Sequence, residues 1–343
     1  MFNLNIFGNK RIGIDLGTAN ILVYVAGQGV VLNEPTVVAV RADDNKVVAV
    51  GQDAKEMLGR TPGNIVATRP LKDGVIADYM VTQSMLSYFI DKVAGSSRFI
   101  KPEVMVCIPS GVTQVEKRAV LDATLAAGAR AVYLIEEPLA AAIGAKIPIA
   151  QATGHMIVDS GGGTTDIAVI SLGGVVVHQS IRVGGNKIEE GIASYIRKKF
   201  NLLIGERSAE EIKIDLGTAI ADKQNPRVKE VKGRDSITGL PRTLEISEIE
   251  INEAILPLLK FIVTGVREVF EITPPELASD IVDKGIVLSG GTSLLRNLDK
   301  FITQETGVPA HVAEDTLFCV VRGTGVALEN LELYKKSINK SDY

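Results

Sequence analysis

Met156-Ile157-Val158-Asp159-Ser160-Gly161-Gly162-Gly163-Thr164-Thr165-Asp166 ends one apolar run on an aspartate, turns through glycine and threonine, and opens a second apolar run, Ile167-Ala168-Val169-Ile170. The same figure stands near the amino terminus, as Arg11-Ile12-Gly13-Ile14-Asp15-Leu16-Gly17-Thr18-Ala19-Asn20 followed by Ile21-Leu22-Val23-Tyr24-Val25. Short Val/Ile/Leu runs bounded by glycine read as strands, so each copy predicts strand, tight turn, strand. Each then turns again, at Gly27-Gln28-Gly29 and at Gly173-Gly174. Phosphate needs convergent N–H donors, and glycine-rich turns let the backbone approach that closely. A carboxylate at the preceding strand end can hold Mg2+ directly or through water. One such turn reads equally as an ordinary hairpin. Two matched copies, with a third glycine turn at Ser289-Gly290-Gly291-Thr292, favour a phosphate and metal device written twice. Rival phosphate loops are missing from the sequence: neither Gly-x-x-x-x-Gly-Lys-Ser/Thr nor a helix-opening Gly-x-Gly-x-x-Gly occurs.

The totals narrow the chemistry further. A chain of 343 residues can bury two ordinary cores without disulfides. Two cysteines, Cys107 and Cys319, are too few for a secreted disulfide framework and point to a reducing interior. Three histidines, none paired at ligand spacing on one helix, argue against zinc and leave oxygen-ligated Mg2+ as the credible metal. A formal charge of -4, with basic and acidic residues interspersed, argues against nucleic acid as a partner. No apolar run reaches the roughly 18 residues of a membrane span. Even so, 46% of residues are hydrophobic and the mean hydropathy is +0.20, which leaves apolar surface for a partner or a bilayer.

Strands alternate with helices through both halves. The spacing predicts a short helix over 54–58, helical periodicity from Val81 through Met85, Phe89 and Val93, and a buried strand at 104–108. Thr113 and Glu116 form a capping box for a helix to Ala127, and Glu136-Glu137-Pro138 opens an alanine-rich helix to Ala145. The second half predicts strands across 155–183, a helix with Ile188, Ile192 and Ile196 on one face, and another capped by Ser208 and Glu211. A polar hairpin over 224–246 and a long helix to Phe270 follow. After them come a strand at 285–288, a helix carrying Leu295, Leu298 and Ile302, and a last helix opened by Arg322-Gly323-Thr324-Gly325. A single large sheet would also accommodate this order, but the recurrence of strand, Asp-Gly turn and strand makes duplication the better account.

Longer strings carry a resemblance. Asp15 to Asn20, Asn33-Glu34-Pro35, Gly59-Arg60-Thr61-Pro62-Gly63-Asn64, Lys72-Asp73-Gly74-Val75-Ile76-Ala77-Asp78, Glu136-Glu137-Pro138 with its alanine helix, and Gly161 to Thr165 resemble the actin/Hsp70/sugar-kinase ATPase superfamily. Within it they resemble the MreB family of bacterial actin-like cytoskeletal proteins, over nearly the whole chain. The resemblance implies an α/β, actin-like ATPase fold: two duplicated α/β domains, each with a smaller inserted subdomain, and a nucleotide cleft between them. It implies domain IA over 1–32, 79–148 and 326–343, IB over 33–78, IIA over 149–182 and 249–325, and IIB over 183–248. The cofactors implied are ATP and Mg2+.

By the same resemblance, Asp15 and Asp159 position Mg2+ through water, and Gly17, Thr18, Ala19, Asn20, Gly161, Gly162, Gly163 and Thr164 surround the phosphates. Gly290, Gly291 and Thr292 pass under the adenosine, which Glu210 and Lys213 reach from a helix. Glu137 matches the residue that orients the attacking water, with Thr164 assisting; a glutamate at a helix start also suits the helix dipole. The helices at Pro138 and Gly323 resemble the superfamily's two crossover segments, and their small residues suit either a hinge or plain tight packing. Three positions depart from the pattern: Asp166 stands where glutamate is usual, Asn186 where aspartate is usual, and Thr316 where proline is usual.

Two apolar segments, Phe2 with Ile6 and Phe7, and Phe99-Ile100 between Arg98 and Lys101, suit membrane contact; an edge strand and an inward-folded loop suit them as well. The first is too short and wrongly flanked for a signal peptide. The resemblance favours the membrane and implies a cytoplasmic protein, peripheral on the inner face of the plasma membrane. Such a protein forms homopolymeric filaments, hydrolyses ATP slowly, and organises cell-wall synthesis and rod shape with cell-wall elongation proteins. An Hsp70-like chaperone and a small-molecule kinase are the alternatives within the superfamily. The first expects a peptide-binding domain, where this sequence has only a short polar tail to Tyr343.

Overall fold

A computed structural model of the chain describes residues 10–44, 46–94 and 101–340. The membrane candidates Phe2, Ile6, Phe7, Phe99 and Ile100 lie outside the described residues. The backbone divides into two units, one from Met1–Ala152, Ile170–Val175 and Leu317–Tyr343, the other from Thr153–Val169 and Val176–Thr316.

In unit 1, β1 (Arg11–Leu16), β2 (Asn20–Val25) and β3 (Gly29–Pro35) form an antiparallel meander. Three strands, β4 (Val38–Arg41), β5 (Val47–Val50) and β6 (Ile65–Thr68), make a separate sheet in the order β5-β4-β6. Helix α1 (Gln52–Met57) seals it by setting Ala54 on Val37 and Ala39. A short hairpin follows, β7 (Leu71–Lys72) and β8 (Val75–Ile76), then α2 (Tyr79–Ala94), whose Val81, Met85 and Phe89 are buried as the 3.6-residue period requires. Strand β9 (Glu103–Ile108), α3 (Gln114–Ala126), β10 (Ala131–Glu136) and α4 (Glu137–Gly144) complete this stretch. Thr113 and Glu116 do form the reciprocal cap of α3. Strands β1, β9 and β10 run parallel, so their carboxyl ends lie on one edge of the sheet.

Unit 2 repeats the plan with β11 (His155–Ser160), β12 (Thr165–Ser171) and β13 (Gly174–Ile181), followed by α5 (Gly185–Phe200). Strand β14 (Leu202–Leu203) joins β15 (Val228–Asp235) and β16 (Pro241–Ser247) in a small sheet, with α6 (Glu206–Leu216) between β14 and β15 in sequence. Then come α7 (Glu248–Ile272), α8 (Pro275–Lys284), β17 (Ile286–Ser289), α9 (Leu298–Thr306) and β18 (Ala310–Val312). The chain returns to unit 1 with α10 (Cys319–Glu329), α11 (Leu331–Tyr334) and β19 (Asn339–Lys340).

The duplication is visible in strand order. The large sheet of unit 1 reads β3-β2-β1-β9-β10-β19, and the five-stranded sheet reads β13-β12-β11-β17-β18. In each, a three-strand meander is extended from its first strand by two parallel strands. The two aspartates hold the same place: Asp15 is the fifth of six residues in β1, and Asp159 the fifth of six in β11. Each unit has its own apolar core. In unit 2, Ile188, Ile192 and Ile196 of α5 meet Ile251, Ile255 and Leu259 of α7, each fully buried side chain contributing roughly 1.5–3 kcal/mol.

Four helices differ from the sequence reading. The helix α6 starts at Glu206 with Gly205 as its cap, and Glu211 pairs with Arg207 rather than capping through Ser208. Leu295 precedes α9, in the turn after a 3-10 segment, Gly291–Leu294. Helix α8 was not foreseen, because Pro274-Pro275 reads as a breaker whereas Pro275 opens the first turn. The last helix starts at Cys319, so Gly323 and Gly325 lie inside it. A break at Asn330 separates it from α11. Those glycines are contact points: a Cβ on Gly323 would lie 1.7 Å from the Ala140 carbonyl oxygen, and one on Gly144 1.8 Å from that of Cys319. Helices α4 and α10 therefore touch backbone to backbone.

Glu248 ties the start of α7 to three other segments. It is 1% exposed, accepts from Arg296 at 2.7 Å, Arg227 at 3.1 Å and the Asp222 N–H at 2.9 Å. Burial alone would push its carboxyl up, but Arg296, the Asp222 N–H and Arg227 together hold it below the ordinary range. Removing one partner of such a buried group leaves the others uncompensated. Because Arg227 and Arg296 keep access to water, Glu248→Ala should lower the unfolding free energy by about 1–3 kcal/mol in urea titrations; no measurable loss would show the knot to be dispensable.

Candidate functional site

The candidate residues fall into two sets, one at the sheet edge of each unit. In unit 1 the β1–β2 turn carries Asp15, Gly17, Thr18, Ala19 and Asn20. Thr36 braces it from behind, its hydroxyl donating to the Gly17 carbonyl at 2.7 Å and its N–H to the Ala19 carbonyl at 2.9 Å. Gly17 is required by a close turn, since a Cβ there would lie 2.6 Å from the Asn20 carbonyl oxygen. Thr18 is buried and its hydroxyl accepts the Gly74 N–H at 3.0 Å, which leaves the O–H proton to donate elsewhere. Because β1, β9 and β10 are parallel, their carboxyl ends bring together Asp15, Cys107 and Glu137, the first residue of α4. The Cys107 thiol donates to Asp15 Oδ1 at 3.3 Å. Burial first, then the charges of Asp15 and Glu137, push that thiol well above its ordinary range.

In unit 2 three backbone turns and one helix converge. The β11–β12 turn closes on itself, the Gly161 N–H donating to the Thr164 carbonyl at 2.9 Å. The start of α5 locks onto it: Gly185 N–H donates to the Gly161 carbonyl at 3.0 Å and Asn186 N–H to that of Gly162 at 2.9 Å. Thr292 adds its hydroxyl to the Gly161 carbonyl at 2.8 Å. A Cβ on Gly184 would lie 2.7 Å from the Gly161 carbonyl oxygen, and one on Gly290 2.4 Å from that of Ser160, where φ is also +84°. Lys213 reaches the same place from α6, paired with Glu189 of α5 and within 3.1 Å of a Cβ placed on Gly185. Glu210 stands three residues earlier on α6, half-buried and on the same face. Gly162 and Gly163 complete the turn, and Gly291 opens the 3-10 segment.

Asp159 is the electrostatic centre of this set. It is 5% exposed, and its Oδ1 has no hydrogen-bond partner among the described residues. Burial pushes its carboxyl up to about 6, against a smaller opposing pull from Ser289, its register neighbour on β17. These residues fit Mg2+ and a polyphosphate: a buried carboxylate oxygen without a partner among the described residues, and backbone turns too close for any side chain. Among the described residues no three or more His, Cys, Asp or Glu gather as a metal site, so a cation here would draw most of its ligands from phosphate and water.

The sequence model of the family described as MreB/Mbl protein matches residues 9–336. The chain belongs to that family. It is 54% identical over 332 residues to the cell shape-determining protein MreB of Escherichia coli (strain K12), covering 95% of each chain. It is 49% identical over 327 residues to the cell shape-determining protein Mbl of Bacillus subtilis (strain 168), covering 95% of this chain and 98% of that one. A crystal structure of MreB 5 of Spiroplasma citri bound to AMPPNP superposes with a TM-score of 0.90 at 40% identity, over 96% of this chain and 98% of that one. The same protein bound to ADP gives a TM-score of 0.89. The actin-like fold implied by the sequence is thereby shown for this MreB/Mbl chain.

Each unit thus gathers its own share of the residues singled out in the sequence. Unit 1 holds Asp15, Gly17, Thr18, Ala19, Asn20 and Glu137; unit 2 holds Asp159, Gly161, Gly162, Gly163, Thr164, Glu210, Lys213, Gly290, Gly291 and Thr292. Sequence reasoning missed Cys107, Thr36 and the Gly184-Gly185 lock. The last had a signal, a strand running through Val183 into two glycines and a helix.

The sign of the Asp159 shift gives a test. In the nucleotide-free protein the folded carboxyl holds its proton more tightly than the ordinary value of 3.8, so its stabilisation is full below that value and lost as pH rises through about 6. Between pH 5 and pH 7.5 the wild type should lose about 1–1.5 kcal/mol relative to Asp159→Asn in urea unfolding. Parallel curves for the two proteins would contradict the assignment.

Proposed function

We propose that the chain is an ATP-binding, filament-forming protein of the MreB kind that works at the inner face of the cytoplasmic membrane, organises cell-wall synthesis and maintains rod shape. The observation that carries the nucleotide part is Asp159, a buried carboxylate oxygen without a partner, set in backbone turns that only glycine can form. Likeness to MreB 5 bound to AMPPNP and to ADP supports it. The names of the Escherichia coli and Bacillus subtilis relatives support the cell-shape role.

In this reading each residue set serves nucleotide binding. Mg2+, when bound, would supply neutralisation of the phosphate oxygens. Asp15 and Asp159 would hold it, through water, and the N–H groups of Gly17, Thr18, Gly162 and Gly163 would meet the phosphates, while the Gly161 N–H closes the turn onto the Thr164 carbonyl. Lys213 and Glu210 reach the adenosine from α6, over Gly290, Gly291 and Thr292. Glu137 accepts a hydrogen bond from the attacking water and aims it, with Thr164 assisting. Slow hydrolysis then weakens contacts that ATP favours between copies of the chain, so polymerisation and hydrolysis are coupled.

Light scattering and electron microscopy with Mg2+-ATP test the filament directly: ATP-dependent assembly is expected, and a protein that stays monomeric at saturating nucleotide would end the proposal. Asp159→Ala should lower Mg2+-ATP affinity by about 10–100-fold. Glu137→Ala should leave affinity within a few fold while slowing phosphate release by about 100–10,000-fold.

The apolar residues Phe2, Ile6, Phe7, Phe99 and Ile100 of the sequence support membrane contact in this reading. A few inserted side chains give roughly 1.5–3 kcal/mol each, against an association cost of about 4–15 kcal/mol. One copy therefore holds a bilayer weakly, and a filament gains through avidity. Replacing Phe99 and Ile100 by serine should impair liposome pelleting and spare nucleotide binding; undiminished pelleting would remove this loop from the membrane contact.

A further inference from the structure

The carboxyl edge of the unit 1 sheet holds a thiol that the nucleotide reading does not use. Strand β9 reads Glu103-Val104-Met105-Val106-Cys107-Ile108, and all of its buried positions but Cys107 carry side chains without an N–H, O–H or S–H. Alanine or valine would fill the core there without a polar atom. The thiol instead donates to Asp15 Oδ1 at 3.3 Å. An S–H committed to one acceptor favours one rotor position and constrains the carboxylate oxygen it meets.

We propose that Cys107 is a positioning residue for Asp15, its thiol proton fixing Oδ1 so that the carboxylate presents one geometry to Mg2+ or to the water shell of Mg2+. The proposal rests on the nucleotide reading above. Cys107 touches neither cation nor phosphate in this account and acts only through Asp15. In the duplicate site a hydroxyl, Ser289 of β17, stands in register beside Asp159, and Asp159 Oδ1 has no partner among the described residues. The thiol contact to Oδ1 is thus found in one copy and not in the other.

The experiment titrates a fluorescent ATP analogue against wild type, Cys107→Ala and Cys107→Ser, at graded free Mg2+ and in EDTA. Cys107→Ala should raise the half-saturating Mg2+ concentration by about tenfold, the low end for a group that orients a metal ligand. Affinity in EDTA should stay within twofold of wild type. Serine keeps an O–H donor, so Cys107→Ser should recover most of the Mg2+ sensitivity. An unchanged Mg2+ curve for Cys107→Ala, or equal shifts in the two variants, would overturn the proposal and leave packing as the role. Should the alanine variant fail to fold, the infrared S–H stretch of the wild type, assigned by its loss in Cys107→Ser, serves instead. It should lie below the free-thiol frequency and move on adding Mg2+-ADP; a band that ignores Mg2+-ADP would overturn the proposal. A wild type without any Mg2+-dependent binding would overturn the nucleotide reading, and this inference with it.

Discussion

The Gly161 carbonyl organises unit 2. It accepts the Gly185 N–H and the Thr292 hydroxyl, and a Cβ on Gly184 would meet it at 2.7 Å. One oxygen thus joins the β11–β12 turn, the start of α5 and the turn after β17. Backbone groups so used cannot also meet a ligand, so the N–H donors left to phosphate are the later ones of the turn. Substituting Gly184 or Gly290 would push backbone against backbone, and nothing flexible is available to yield. The glycines hold three segments close enough for one buried carboxylate to be walled off from water, which is what raises Asp159.

Unit 1 solves the corresponding problem differently. Asp15 is half-buried, and the Cys107 thiol meets its Oδ1. Thr36 and Gly74 brace the turn from β3's end and from the β7–β8 hairpin. Any ligand that engages Thr18 therefore pulls on a hydroxyl already bonded to that hairpin. Helices α4 and α10 pack so closely through Gly144 and Gly323 that Glu137, at the first position of α4, inherits their rigidity. Under the proposed function, in which Glu137 aims a water, such a mount would help, because misplacement by an ångström is costly in rate.

The parts legible in the sequence were those that depend on neighbours along the chain. Asp15 and Asp159 announced themselves because strand, carboxylate and glycine turn are contiguous, and the Thr113 cap because its partner is three residues away. The α7 capping box, Ser247 with Glu250, is equally local and was passed over in favour of the weaker Ser208 pattern. That pattern failed because Arg207 offers Glu211 a charge-assisted partner one turn away, and the helix had already begun at Glu206. Gly323 and Gly325 read as a helix start because glycine is poor inside a helix. They lie inside α10 because Ala140 and Tyr24 press against them, which no local rule contains. Cys107 was invisible for the same reason: its meaning comes from lying beside β1, ninety-two residues away in sequence.

The two copies are therefore alike in backbone and unlike in charge. Asp15 has a donor in place, while Asp159 Oδ1, more deeply buried, has none. A desolvated carboxylate is costly unless a proton or a cation meets it. Below about pH 6 a proton meets that cost at Asp159. At neutral pH a cation could, so under the proposed function a bound cation would relieve a larger cost at Asp159 than at Asp15. Duplication supplied two equal carboxylates, and burial then made one of them the stronger lever: a ligand shifts a conformational equilibrium only by its differential affinity, and the uncompensated site offers the greater difference.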